Sequence, residues 1–169
     1  HAVTFETQPP GYFLELWVWR QVVESPELGR LLGVAAVALA ALLMARVSSH
    51  VVPEIAPAWA AALLAFNPLA VWAAVELRPY PMALLAATGL VATFIPAFLE
   101  GEPRRQPIVW YGLVATAALY TQYYIGFLLV PPVIALALAQ RLDALRAYLA
   151  PMAIVALLAV PLLLVVPEQ

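Results

Sequence analysis

The chain contains no cysteine and no lysine, and only 11% of its 169 residues are charged. Without a thiol it can build neither a disulfide framework nor a thiolate metal site, and cysteine usage leaves its redox compartment unread. All eight basic side chains are arginine, which fits a GC-rich coding bias and carries no functional weight. A formal net charge of −2 argues against nucleic acid as a partner. No basic segment followed by a short apolar core and a small-residue cleavage site opens the sequence, so no signal peptide is read. Because it starts at His1 rather than Met, it is expected to be a fragment of a longer chain.

What the sequence has in abundance is apolar length. Hydrophobic residues make up 65% and the mean hydropathy is +0.93. Several runs approach the roughly 20 residues that cross a bilayer. These features predict an all-α, polytopic helical integral membrane protein forming one membrane domain over 1–169: an outer-face loop with an interfacial helix in 1–30, then transmembrane helices in 31–169. Six apolar segments are expected to cross, near 31–47, 57–75, 81–99, 107–122, 124–140 and 147–166. Fewer, longer spans would place Glu76/Arg78, Glu100 to Arg105 or Arg141 to Arg146 in lipid. Pro131 and Pro132 are expected to kink the fifth segment.

Ahead of the spans, Pro9-Pro10 disfavours helix before it and permits one from about Gly11. The aromatic run Tyr12 to Val23 is too short to cross. Its Arg20, Gln21 and Glu24 share one face and Leu16, Val18, Trp19, Val22 and Val23 the other, the pattern of an amphipathic helix lying in the headgroup layer. Glu15 breaks it by falling on the apolar side. Either its carboxylate snorkels to water or it turns into a cleft.

Counting arginines at alternate ends sets the orientation. If 31–47 runs inward, Arg46, Arg104, Arg105, Arg141 and Arg146 lie inside and Arg20, Arg30 and Arg78 outside, a modest positive-inside bias. Three polar and aromatic islands then share the outer face: Thr7 to Tyr12, Glu76 to Tyr80, and Tyr120 to Tyr124. Charge kept between apolar runs at Glu76 and Arg78 is costly, about 2.5–3.5 kcal/mol per group on insertion scales, and such groups tend to bind something. Arg78 precedes Pro79, so helix breaks there and a new one opens near Tyr80. A guanidinium beside a helix N-terminus favours a phosphate; the plainer alternative is an interfacial pair anchoring the loop. Tyr120 to Tyr124 suit a sugar ring or form part of an interfacial tyrosine belt. Arg104, Arg105, Arg141 and Arg146 read as cytoplasmic anchors, with anionic lipid contact as the other possibility.

The order and spacing of these islands resemble the GT-C superfamily of membrane glycosyltransferases, particularly the branch of the protein O-mannosyltransferases and the lipid A aminoarabinose transferase. Such proteins often read His-Pro-Pro-Leu-Tyr-Tyr where this chain has Gln8-Pro9-Pro10-Gly11-Tyr12-Phe13. An acidic turn and an Arg-Leu step follow, matching Glu24-Ser25-Pro26-Glu27 and Arg30-Leu31. The next hairpin commonly carries Asn-Pro and Glu-Ala-Arg-x-Tyr, here Asn67-Pro68 and Glu76-Leu77-Arg78-Pro79-Tyr80. A later Tyr-Thr-His-Tyr corresponds to Tyr120-Thr121-Gln122-Tyr123. Both histidines of the pattern are glutamine in this chain, which leaves a hydrogen-bonding role but no imidazole chemistry.

The resemblance implies transfer of a sugar from a polyprenyl-phosphate donor to a lipid, glycan or protein acceptor on the outer face of a bacterial inner or plasma membrane. It gives Arg78 the donor phosphate, Glu76 the orientation of Arg78, Tyr80 the border of the donor site, and Gln8, Gln122 and Tyr123 the sugar or headgroup hydroxyls. The family's catalytic acid is expected upstream of His1, so this stretch alone is expected to be inactive. No cofactor is evident, and the family leaves room for a divalent metal in the complete enzyme. The competing expectations are a transporter or flippase for an anionic lipid or small solute, and a noncatalytic scaffold.

Overall fold

Ser25 fixes where the first long helix begins. Its hydroxyl accepts from Leu28 N at 3.2 Å, Pro26 occupies the first turn where a missing N–H costs nothing, and Glu27 complements the helix dipole. The computed structural model describes residues 10–23 and 25–165, and these fold as helices with no strand among the described residues. In chain order they are α1 (Pro10–Arg20), α2 (Pro26–Val51), α3 (Pro57–Ala65), α4 (Pro68–Val75), α5 (Tyr80–Phe94) continuing as a π-helical turn (Ile95–Leu99), α6 (Arg105–Thr121), a 3-10 segment (Tyr123–Leu129), α7 (Val130–Leu138) and α8 (Leu142–Val165).

Three helices are long and apolar enough to cross a membrane: Glu27–Val51, Tyr80–Leu99 and Leu142–Leu162. The remaining expected segments are bent, short or of mixed helix type. Between 57 and 75 the chain breaks at Asn67-Pro68, where the Asn67 side chain accepts from Leu69 N at 2.9 Å and restarts the helix, so α3 and α4 meet at 58°. Counted as one bent span, they bring the number to four. α6 has 17 residues and stops at Gln122, whose extended backbone (φ −157°, ψ 111°) hands over to the 3-10 segment. Pro131 and Pro132 do not kink a longer helix. They lie in the first turn of α7, where free N–H groups are not needed for the ladder.

The interior is built from small residues and the exterior from large apolar ones. Ala36, Ala40, Ala41, Ala70, Ala73, Ala74, Ala97, Ala115, Ala118 and Ala144 are buried, while Leu42, Leu63, Phe66, Leu69, Phe127 and Leu138 face outward. A water-soluble chain of this size would hide such side chains; close alanine interfaces beneath an apolar outer surface suit a lipid surround. Gly33 marks a close approach of α2 to α4, for a Cβ there would lie 2.5 Å from the Ala74 carbonyl oxygen.

Larger side chains do fill one cluster, where Phe94, Phe98, Tyr111 and Tyr148 pack with ring centroids 5.2–6.2 Å apart. Tyr148 donates to the Leu129 carbonyl at 2.7 Å, so its single proton is used and Tyr111, 3.2 Å away, must be the donor between the two hydroxyls. Nearby loops are pinned by Arg141, whose guanidinium forks to the carbonyls of Leu99 and Gly101, both at 2.8 Å. α7 ends in a Schellman motif, with Arg141 N on Leu136 O and Gln140 N on Ala137 O, both 3.0 Å, and Gln140 in the left-handed region at φ 54°.

Candidate functional site

Four pieces of chain meet at one end of the bundle: α1, the first turns of α2, the Glu76 to Tyr80 connector and the last turn of α6. α1 comes in close because Gly11 has no side chain. A Cβ there would overlap the Tyr120 carbonyl, so only glycine lets α1 lie against the end of α6. This contact sets the rotation of α1 and turns Tyr12, Glu15, Leu16 and Trp19 inward, while Phe13, Leu14, Trp17 and Val18 are exposed. The outward face is therefore the apolar one, which is the cheaper arrangement for a helix bordered by lipid.

Glu15 follows the second of its two sequence alternatives. It is half-buried, its Oε1 lies 3.5 Å from the Thr121 hydroxyl, and its Oε2 is buried with no hydrogen-bond partner. Burial pushes its carboxyl above the ordinary carboxylate range, and the long contact from Thr121 opposes that only weakly. Thr121 also sits 3.0 Å from the Ala117 carbonyl, so its one proton is shared between two acceptors. Next in the chain, Gln122 holds its Oε1 buried and likewise unpartnered. Two acceptors without donors thus lie on adjoining parts of the α1–α6 contact.

Glu76 and Arg78 face a small cavity of about 10 Å³ together with Tyr12, Leu16, Gly33 and Met82, room for about one water. Glu76 ends α4, and Arg78 stands at the exposed turn before α5. Pro79 and Pro81 are buried beneath it, and α5 starts at Tyr80 with Ala83 N on Pro79 O at 2.8 Å. The helix N-terminus beside the guanidinium is therefore in place. Among the described residues no ion pair joins Glu76 to Arg78; the two share the cavity wall instead.

Tyr80 stacks against Trp72, with centroids 5.7 Å apart, and is partly exposed. Tyr123 and Tyr124 pack together at 4.4 Å, their hydroxyls 3.4 Å apart. Tyr120 points elsewhere: its hydroxyl donates to the Leu158 carbonyl at 2.8 Å and ties α6 to α8. Gln8 lies outside the described residues, as do Glu24 and the stretch before Pro10.

The sequence put Tyr12 and Thr121 in islands on this face and left Glu15 open, but gave none of the three a role in the site. Glu15's position on the apolar side of its helix was the available signal. Among the described residues no group of three or more His, Asp or Glu could hold a metal ion. Compared with protein-family models, curated proteins and solved structures, the chain matches none.

Proposed function

We propose that the chain is part of a polytopic membrane glycosyltransferase of the GT-C kind, which moves a sugar from a polyprenyl-phosphate donor to an acceptor hydroxyl at the outer membrane face. The observation that carries the reading is the meeting, at one end of the bundle, of Arg78 beside a helix N-terminus and of two buried acceptors, Glu15 Oε2 and Gln122 Oε1, that lack donors. A phosphate needs the first; sugar hydroxyls, which are donors, would satisfy the second.

In the reaction the acceptor oxygen bonds to the anomeric carbon, the bond from that carbon to the phosphate oxygen breaks, and the phosphate leaves with the electron pair. Arg78 and the N–H groups of α5 stabilise the charge that develops on it. The acceptor's proton passes to a carboxylate, which by resemblance belongs upstream of His1. Tyr80 and Tyr123 border the sugar, and Glu76 shapes the wall beside Arg78. With only about 10 Å³ between α1 and the connector, donor entry requires α1 to swing away from Gly33 and Met82.

Release of sugar from a labelled polyprenyl-phosphate donor by membranes holding the full-length protein tests this. Arg78→Ala is expected to lower the rate by about a hundredfold; an unchanged rate and donor affinity would remove the phosphate role. The 58° break between α3 and α4 favours a second reading, because transporters bind their cargo at interrupted helices. Uptake of an anionic solute by vesicles, without sugar release, would establish it.

A further inference from the structure

The opposite end of the bundle holds a second and far larger cavity. It encloses about 370 Å³ where the last turns of α2, the π-helical turn and the first turns of α6 diverge, within the size range of small-molecule sites. The opening has a local cause. Pro96 has no N–H to offer the preceding turn, and the helix widens so that Glu100 N bonds Ile95 O at 3.1 Å, five residues back.

Its lining is divided. Val47, Ile95 and Trp110 belong to an apolar wall, whereas Arg46, His50, Glu100 and Gln106 supply the polar groups. His50 Nδ1 lies 2.8 Å from the Arg46 carbonyl and His50 Nε2 lies 3.2 Å from Glu100 Oε1. Glu100 Oε1 is engaged by His50, and the exposed guanidinium of Arg46 has no ion-pair partner among the described residues. Under the arginine count this end faces the inner leaflet, where anionic lipids concentrate.

We propose that this cavity seats the phosphate-bearing head group of an anionic membrane lipid. Arg46 contacts the phosphate, Gln106 supplies an amide donor, and the acyl chains run along the wall of Val47, Ile95 and Trp110. A free phosphate would use the same cation but has no need of that wall, which is why a lipid fits better. The site is independent of the sugar-transfer reading, since it lies at the other end of α2, α5 and α6.

The test is lipid retention by native mass spectrometry after the protein is extracted from phosphatidylcholine vesicles doped with phosphatidylglycerol. Phosphatidylglycerol is expected to be retained in preference to phosphatidylcholine. Arg46→Gln should lower that retention about tenfold, and Arg46→Lys should lower it less, because it keeps the charge but loses the fork. Arg146→Gln, at an exposed side chain 3.8 Å from Asp143, controls for general loss of charge and should change nothing. Helix content by circular dichroism should match in all variants. Equal retention of the two lipids, or equal losses in Arg46→Gln and Arg146→Gln, would overturn the proposal. So would a change in tryptophan emission on adding inorganic phosphate alone, absent from Trp110→Phe and without lipid retention, because the occupant would then be a soluble phosphate.

Discussion

Replacing Tyr148 by Phe deletes one oxygen and leaves the ring cluster of Phe94, Phe98 and Tyr111 intact, so it isolates the hydroxyl relay between α6, α8 and the start of α7. Tyr148 is fully buried; its hydroxyl gives its proton to Leu129 O at 2.7 Å and accepts from Tyr111 at 3.2 Å. A net buried hydrogen bond contributes about 1 kcal/mol, and interhelical bonds in membranes average about 0.6 kcal/mol. Tyr148→Phe removes two and leaves the Tyr111 proton without an acceptor, which together cost about 2 kcal/mol. Tyr111→Phe removes one and leaves the shorter bond to Leu129 untouched, so it should cost about 1 kcal/mol or less. In the double variant the same two bonds are lost but no orphaned donor remains, so its cost should fall below that of Tyr148→Phe alone. Equilibrium unfolding in mixed micelles with dodecyl sulfate as denaturant, followed by circular dichroism, gives the full cycle. If Tyr111→Phe costs as much as Tyr148→Phe, or if the two simply add, the assigned direction of the relay is wrong.

Gly11→Ala is expected to detach α1, since its Cβ would overlap the Tyr120 backbone; loss of a cross-link between cysteines introduced at positions 15 and 121 would report it, and an unaltered yield would refute the close approach. Gln140→Gly should stabilise the protein by about 1 kcal/mol by relieving a left-handed backbone that costs side-chain-bearing residues about 1–2 kcal/mol, visible as a raised unfolding midpoint. Because the docked Glu15 carboxyl titrates above its undocked range, it favours docking fully below the undocked pKa and loses that contribution as pH rises through the docked one. Docking of α1 should therefore loosen from acid to neutral pH, followed by tryptophan emission, and Glu15→Gln should abolish the dependence.

Local chemistry was legible along the chain, whereas distant pairing was not. Ser25-Pro26 and Asn67-Pro68 announce helix starts in two residues each, and both are used that way. Pro79 does the same for the break after Arg78. Pro131-Pro132 was misjudged because a proline pair reads alike at a kink and at a first turn; only the 3-10 geometry before it distinguishes them. The six expected spans rested on apolar length and on where charge falls, which placed the break near Gln122 but treated 57–75 as one straight span although Asn67-Pro68 restarts the helix there. At the candidate site, Glu76, Arg78 and Tyr80 could be picked out because charge is rare in this sequence. The inward turn of Glu15 was one of two readings its position left open, and what decides it, Gly11 meeting Tyr120 more than a hundred residues away, is not visible locally. His50 and Glu100 pair across half that separation, and neither has a neighbour in sequence that announces the other.

The aromatic cluster imposes an order on how the chain assembles. α2, α5 with its π-helical turn, and α8 are each long and apolar enough to enter a bilayer as separate units, but the 3-10 segment and α7 between α6 and α8 are not. Tyr148 is the side chain that grips Leu129 and Tyr111 at once, and it belongs to α8, which follows both of them in the chain. Until α8 leaves the ribosome, the 3-10 segment can lean on α6 and α5, but the hydroxyl clasp at Leu129 waits on a helix made after it.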